Sequence, residues 1–267
     1  MKIVQITDTH LVPPGERVCD IDPVERLAAC VDHINAHHAD AAFCVLSGDL
    51  TDRGDVATYR TLEKVLRPLA PPYHLMVGNH DDRAALREVF PGTPVDDNGF
   101  VQCVLDTPLG RVFLLDTVVA GSPGGAYCAQ RAAWLAARLD EAEERPVYLF
   151  LHHPPFAIGI PSMDRMRLAD PGPLIEALRG RSNPRHLFFG HVHRPVSGAW
   201  RGIPFSATKG TAHQVALDFH TQSPVPKTRE APTYAVILLG AEQTVVHHAD
   251  FLDRSLIDGA VSPPPPG

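Results

Sequence analysis

The chain has 267 residues, 44% hydrophobic and 21% charged, with a formal charge of −7; it is long enough for one large α/β domain or two small ones. The acidic balance argues against nucleic acid as a partner. Five scattered cysteines (Cys19, Cys30, Cys44, Cys103 and Cys128), with no CxxC pair and an odd total, exclude a disulfide frame or a zinc knuckle and read as reduced thiols of a cytoplasmic protein.

The opening MKIVQITDTH turns polar after six residues, too early for the apolar region of a signal peptide. No segment reaches the roughly 18 apolar residues that a membrane-spanning helix needs, so no membrane is expected as a partner. Lys2 to Ile6 reads as a buried strand. A helix is expected from Pro23 to His37: Asp22 suits its N-cap and Pro23 its first turn. Leu27, Cys30, Val31 and Ile34 recur there at three- and four-residue steps, as one buried face requires. Strands at Phe43 to Leu46 and Tyr73 to Val77 then alternate with helices at Val56 to Leu66 and Arg83 to Phe90. Strands at Val101 to Leu105 and Arg111 to Leu115 precede a helix at Ala129 to Glu143. A strand at Val147 to Leu151, a helix at Pro173 to Leu178 and a strand at His186 to Phe189 complete the βα pattern. Past about Val196 the pattern becomes strand and turn, with strands expected at Val215 to Phe219, Tyr234 to Leu239 and Thr244 to His248. The Pro-rich span from Thr221 to Pro232 reads as a long hairpin or arm, and the tail at 259 to 267, ending SPPPPG, as a disordered or polyproline end.

The 15 histidines are the excess in the composition, and many stand where apolar runs stop. KIVQIT is followed by Asp8-Thr9-His10, FCVLSG by Asp49, YHLMVG by Asn79 and His80, VYLFL by His152, and HLFFG by His191 and His193. In open α/β sheets ligands gather at the carboxyl ends of strands. Gly48, Gly78 and Gly190 have an ordinary explanation as tight turns, but turn chemistry does not explain the Asp, Asn and His that follow them. Imidazole and carboxylate suit zinc, iron, manganese or cobalt, and no Cys biases the set toward thiolate chemistry. Seven donors (Asp8, His10, Asp49, Asn79, His152, His191 and His193) are too many for one tetrahedral ion. They suit two ions roughly 3.5–4 Å apart sharing a bridging carboxylate, for which Asp49 is the natural choice.

These five blocks, D-x-H, GD, GNHD, H and GHxH, resemble the signature of the calcineurin-like metallophosphoesterase superfamily and span residues 8 to 193. The resemblance implies an α/β, four-layer αββα sandwich of two mixed β-sheets flanked by helices, in one domain over 1–258 with a strand and arm region at about 196–250. It implies two divalent or trivalent ions (Fe, Mn, Zn or Co), with Asp8, His10, Asp49 and His193 on the first and Asp49, Asn79, His152 and His191 on the second. His80 would contact the phosphate and stabilise or protonate the leaving oxygen. In HHPP the first histidine is assigned as ligand because it follows the strand directly, leaving His153 a supporting role or none.

GDLTDRG resembles the protein serine/threonine phosphatase block in which Arg binds phosphate, yet Arg53 reads better as a solvated residue. VGNHD and GHVH are similar to the class III cyclic-nucleotide phosphodiesterase and glycerophosphodiesterase branch, as are HHPPFAIGIPSMD and GTAHQV. That branch implies a loop over the substrate pocket, a histidine near the site (His213) and a homo-oligomer, dimer or higher. Asp81 and Asp82 are candidates to cap the next helix or to orient His80. The expected activity is that of a phosphoric diester hydrolase on a small phosphodiester, by in-line attack of a metal-bridging hydroxide. A phosphomonoesterase, a nuclease, a nucleotide pyrophosphatase or a non-catalytic scaffold are the alternatives.

Overall fold

The structure, a computed structural model, describes residues 1–252. The Pro-rich tail expected at 259–267 and the last residues of the 1–258 domain lie outside the described residues. In chain order the elements are β1 (Lys2–Ile6), α1 (Pro23–His38), β2 (Phe43–Leu46), α2 (Val56–Leu66), β3 (Tyr73–Leu75), α3 (Arg83–Val89), β4 (Cys103–Thr107) and β5 (Gly110–Leu115). There follow α4 (Ala129–Asp140), β6 (Val147–Leu151), α5 (Pro161–Asp164), α6 (Gly172–Leu178), β7 (Pro184–Phe189), β8 (Val196–Trp200) and β9 (Ile203–Ala207). The chain ends with β10 (Gln214–Val215), β11 (Lys227–Thr228), β12 (Thr233–Leu239) and β13 (Thr244–Asp250).

Among the described residues two large sheets form, in the orders β13-β12-β1-β2-β3 and β4-β5-β6-β7-β9-β8, beside a separate two-stranded ladder of β10 and β11. Both large sheets are mixed. β1, β2 and β3 run parallel, with β12 antiparallel to β1; β5, β6, β7 and β9 run parallel, with β4 and β8 antiparallel at the edges. The strands read as unbroken apolar runs because both of their faces are buried. Alternation then sorts the side chains. Ile3, Val45, Val112, Leu114, Phe150 and Phe188 point between the sheets, where the Phe150 and Phe188 rings stack with centroids 4.5 Å apart. Val4, Ile6, Cys44 and Leu46 point outward against α1, α2 and α3. Phe113, Leu115, Leu149 and Leu151 pack against α4 and α6. The result is the expected αββα order of layers. Asp22 caps α1 by accepting from the Val24 and Glu25 N–H groups, and Asp82, not Asp81, caps α3 through Ala85. All five cysteines are free. Among the described residues no helix is long and apolar enough to cross a membrane.

Some boundaries differ from expectation for local reasons. β4 starts at Cys103, not Val101, because the Val101 N–H is taken by the Asp116 carboxylate at 2.9 Å. β3 stops at Leu75, as the chain turns so that Gly78 N can donate to Asp81 Oδ2 at 2.8 Å. α4 ends at Asp140, and Glu143 takes a left-handed φ of 51°. Of the strand expected at Val215 to Phe219 only Val215 lies in a strand, the two-residue β10; Leu217 and Phe219 are 59% and 58% exposed, and the prolines across the arm lack the N–H a longer ladder needs. The arm itself forms, since β11 pairs antiparallel with β10.

Candidate metal centre

The parallel strands of the two sheets discharge at a common edge. Past β1 and β2 the chains stay paired, with Asp8 N donating to Gly48 O (3.1 Å) and His10 N to Asp49 O (2.9 Å). Asp8, His10, Asp49, His191 and His193 all have positive φ, between 42° and 67°. That conformation costs a residue with a Cβ of order 1–3 kcal/mol, and it occurs here at five of the seven candidate ligands. Gly48, at φ 101°, is required: a Cβ there would lie 2.6 Å from His152 Nδ1 and 2.8 Å from Gly78 N. The glycine turns thus let three strand ends close on one another.

The donors converge. One atom each from Asp8, His10, Asp49 and His193 lies within 4.8 Å of all the others. His10 Nε2 is 3.1 Å from His193 Nε2, and His193 Nε2 is 3.5 Å from Asp8 Oδ1. Asp49 Oδ2 lies 3.7 Å from His10 Nε2 and 3.3 Å from His152 Nε2, so one carboxylate oxygen reaches both halves of the cluster. Its other oxygen is held by the His80 N–H at 2.9 Å.

The outer nitrogens of three rings are engaged: His152 Nδ1 by Ser47 O (2.9 Å), His193 Nδ1 by His213 O (2.8 Å) and His10 Nδ1 by Asp52 Oδ1 (3.2 Å). Each of these acceptors fixes the ring so that Nε2 faces inward, as partners of metal-bound histidines do. Asp8 Oδ2, Asn79 Oδ1, His152 Nε2 and His191 Nε2 are buried without a hydrogen-bond partner. A buried polar atom left unsatisfied costs about 1–3 kcal/mol, and a bound cation would satisfy such atoms. Imidazole, carboxylate and amide oxygen are donors for first-row ions.

The protein's own charges express the same demand. Burial would push Asp49 up, but His152, His10 and His80 hold it well below the usual carboxylate range. Burial likewise opposes the charged form of His152, yet Asp49 and Asp8 raise it to about 9. His10 is raised against burial by Asp52, Asp49 and Asp8. His191 and His193 go the other way, lowered by burial. Positive charge is therefore called to the carboxylates, while the two GHxH rings stay neutral.

His80 borders the cavity, its ring edge-on to His10 with centroids 4.7 Å apart. His213 is buried, 3% exposed, with ring centroids 5.0 Å from His10 and 4.6 Å from His193. Burial, then His193 and His10, lower its pKa. Asp81 lies beneath the site, where it accepts from Leu50 N, Thr51 N, Gly78 N and the Tyr59 hydroxyl. It ties the GD and GNHD turns together, and its carboxylate's hydrogen bonds go to these groups and not to His80; burial and then Asp49 raise its pKa to about 6. Arg53 points away, paired with Glu16 at 2.8 Å and 60% exposed. His153 is buried, with Nδ1 2.8 Å from Thr117 Oγ1.

Three residues went unrecognised in the sequence. Asp52 contacts His10 and His80, and the second Asp of GDLTD was its only signal. Asp116, just past β5, binds Arg83 at the start of α3 through two bonds of 2.7 and 2.6 Å, so it anchors the segment following Asn79 and His80. Lys227 reaches the cavity from the arm.

That cavity, of about 200 Å³, is lined by five of the candidate ligands, His10, Asp49, Asn79, His191 and His193, and by Met163, Met166, Val215 and Val225. A larger groove of about 600 Å³ lies at the opposite ends of the strands, around Tyr148 and His186, and contains none of the clustered donors.

Comparison with known proteins gives the chain a family and relatives. Residues 1–195 match the family model described as calcineurin-like phosphoesterase. A protein of Rhodopseudomonas palustris named "probable cyclic nucleotide phosphodiesterase" is 44% identical over 255 residues, covering 94% of this chain and 93% of the relative. The 3′,5′-cyclic adenosine monophosphate phosphodiesterase of Escherichia coli strain K12 is 29% identical over 223 residues, covering 80% and 77%. A "probable glycerophosphodiester phosphodiesterase" of Arcobacter nitrofigilis is 28% identical over 257 residues, covering 95% and 94%. Among solved structures a dimetal phosphatase from Danio rerio shares the fold, with a TM-score of 0.70 at 15% identity over 94% of this chain and 96% of that one.

Proposed function

The chain belongs to the calcineurin-like phosphoesterase family, and from that premise we propose that it is a binuclear metal-dependent phosphodiesterase acting on a small phosphodiester, a cyclic nucleotide first among them. The observation that carries the reading is the pair of Nε2 atoms of His10 and His193 facing each other at 3.1 Å, with both Nδ1 atoms committed to oxygen acceptors. Two ring nitrogens at that distance share either a proton or a metal cation, and Asp8 and Asp49 supply the carboxylates that a cation there would need. The names of the relatives, which include both cyclic nucleotide and glycerophosphodiester phosphodiesterases, support the diester class.

In this reading Asp8, His10, Asp49 and His193 hold one ion, and Asp49, Asn79, His152 and His191 hold the other. When bound, such ions supply Lewis acidity toward a phosphoryl oxygen and lower the pKa of a water from 15.7 to roughly 7. The protein's own groups do the rest. Asp49 divides its negative charge between the two halves of the site. Ser47 O, His213 O and Asp52 keep the imidazoles from turning. His80, on the open side, stabilises charge on the phosphoryl oxygens and donates a proton to the leaving oxygen. Asn79 is a neutral donor, so the second position is less charge-compensated and its ion more loosely held.

The direct test loads the purified chain with Mn²⁺, Co²⁺, Zn²⁺ or iron and compares aryl diesters, aryl monoesters, cyclic nucleotides and glycerophosphodiesters. Turnover of diesters above monoesters is expected. No turnover with any metal would sink the reading, and monoester preference would replace it with a phosphomonoesterase.

A further inference from the structure

The arm built from β10 and β11 is anchored on both sides. Val215 opposes Lys227 in the two-strand ladder. Arg194, directly after His193, donates to Val215 O at 2.9 Å and to Glu230 Oε1 at 2.5 Å. Lys209 pairs with the other oxygen of Glu230 at 3.2 Å. Arg229 reaches back to Asp20 and to Cys19 O. The segment carrying His193 and the segment carrying Lys227 are therefore one clamped unit.

Within that unit the cations are unequal. Arg194 and Lys209 share Glu230, and Arg229 has Asp20. Among the described residues Lys227 has no ion pair, is exposed, and is the one Lys or Arg bordering the cavity, which Asn79, His80 and His213 also line. The wall next to it is apolar: Met163 and Val215 form a satellite core with Ile160, and Met166 and Val225 pack against it. A solvent-exposed ammonium there attracts an anion entering the cavity, in a way that added salt screens. Around it the chain is acidic, with Asp8, Asp49 and Asp52 on the site side and a formal charge of −7 overall.

We propose that Lys227 is a substrate-positioning residue, whose ammonium holds a non-bridging phosphoryl oxygen while the organic group of the substrate lies against Met163, Met166, Val215 and Val225. The assignment rests on the phosphodiesterase reading for its substrate, although its anion-holding part stands on the arm alone. A lysine suits the task as a compact point charge on a flexible stem.

The test uses the manganese-loaded full chain with Lys227→Met and Lys227→Arg, and inorganic phosphate as the probe. Phosphate affinity is measured by calorimetry, KM and kcat with bis(4-nitrophenyl) phosphate, and manganese content by elemental analysis. Loss of one charge-assisted contact is expected to weaken phosphate binding and raise KM by about tenfold in Lys227→Met. Manganese content, melting temperature and kcat stay near wild type, and Lys227→Arg recovers most of the affinity. Unchanged phosphate affinity in Lys227→Met overturns the proposal, as does lost manganese or an arginine variant no better than methionine. If the wild type hydrolyses no diester but Lys227→Met still loses phosphate and Lys227→Arg regains it, the activity reading fails and the role of Lys227 stands.

Discussion

The backbone carbonyl of Asp52 lies 2.9 Å from Nδ1 of His80. A carbonyl only accepts, so Nδ1 carries a proton and Nε2 is the atom left for the substrate. Donation to a leaving oxygen would come from Nε2, while Nδ1 also lies 3.8 Å from the Asp52 carboxylate. His80→Ala should keep its full metal content while kcat falls about 10²- to 10⁴-fold, the usual contribution of a positioned acid. Elemental analysis beside steady-state kinetics checks this; loss of both ions in the variant would contradict the division of labour.

Asn79→Ala should weaken occupancy of the second position and spare the first, because Asn79 Oδ1 is a buried, unpartnered donor on that side. Asn79→Asp adds the missing charge and should hold the second ion more tightly. Manganese titration followed by dialysis reads both. Equal retention of two ions per chain by wild type and Asn79→Ala would rule the assignment out.

Asp116 is fully buried, with Arg83 on both of its oxygens and Arg131 3.7 Å away. Asp116→Asn leaves two guanidinium groups without their carboxylate, at a cost of about 3–5 kcal/mol. Because Arg83 opens α3, the loss should also slow turnover by loosening the segment behind Asn79 and His80. Urea unfolding checks the first effect, and a destabilisation below about 1 kcal/mol would show that the pair is dispensable.

His186, far from the metal cavity, bonds through Nε2 to Ser206 Oγ at 3.0 Å and stacks on Phe188. Burial pulls its pKa from 6.5 down to about 4. The unfolded chain takes up this proton below pH 6.5 and the folded chain only near 4. The contribution is therefore intact above pH 6.5 and is lost as pH falls from 6.5 to 4, by at most about 3 kcal/mol. His186→Phe should flatten that part of the pH–stability curve in urea melts. An unchanged slope would mean that the ring already carries charge in the fold.

Legibility followed the range of the interactions. The runs at Lys2 to Ile6, Phe43 to Leu46 and Val147 to Leu151 match their strands end for end, since burial on both faces writes itself into consecutive residues. The strand-end donors were legible for a related reason: each follows its run directly. Asp52 and Lys227 were not, because what makes them matter is a contact made by a turn or an arm across long sequence distance. The hairpin of β8 and β9 was equally faint; Ser197, Gly198 and Ala199 are exposed and leave no apolar alternation. The short α5, between Ile160 and Arg165, is too brief to carry a period.

The left-handed backbone at Asp8, His10, Asp49, His191 and His193 has a consequence for anyone engineering this chain. Glycine at any of these positions would relax the backbone and delete a donor in the same step. A selection that rewarded melting temperature alone, run on metal-stripped protein, would drift toward sequences that fold better and hold nothing. Screens for hardier variants should therefore be run with metal present, where the bound ions return the stability that the strained turns give up.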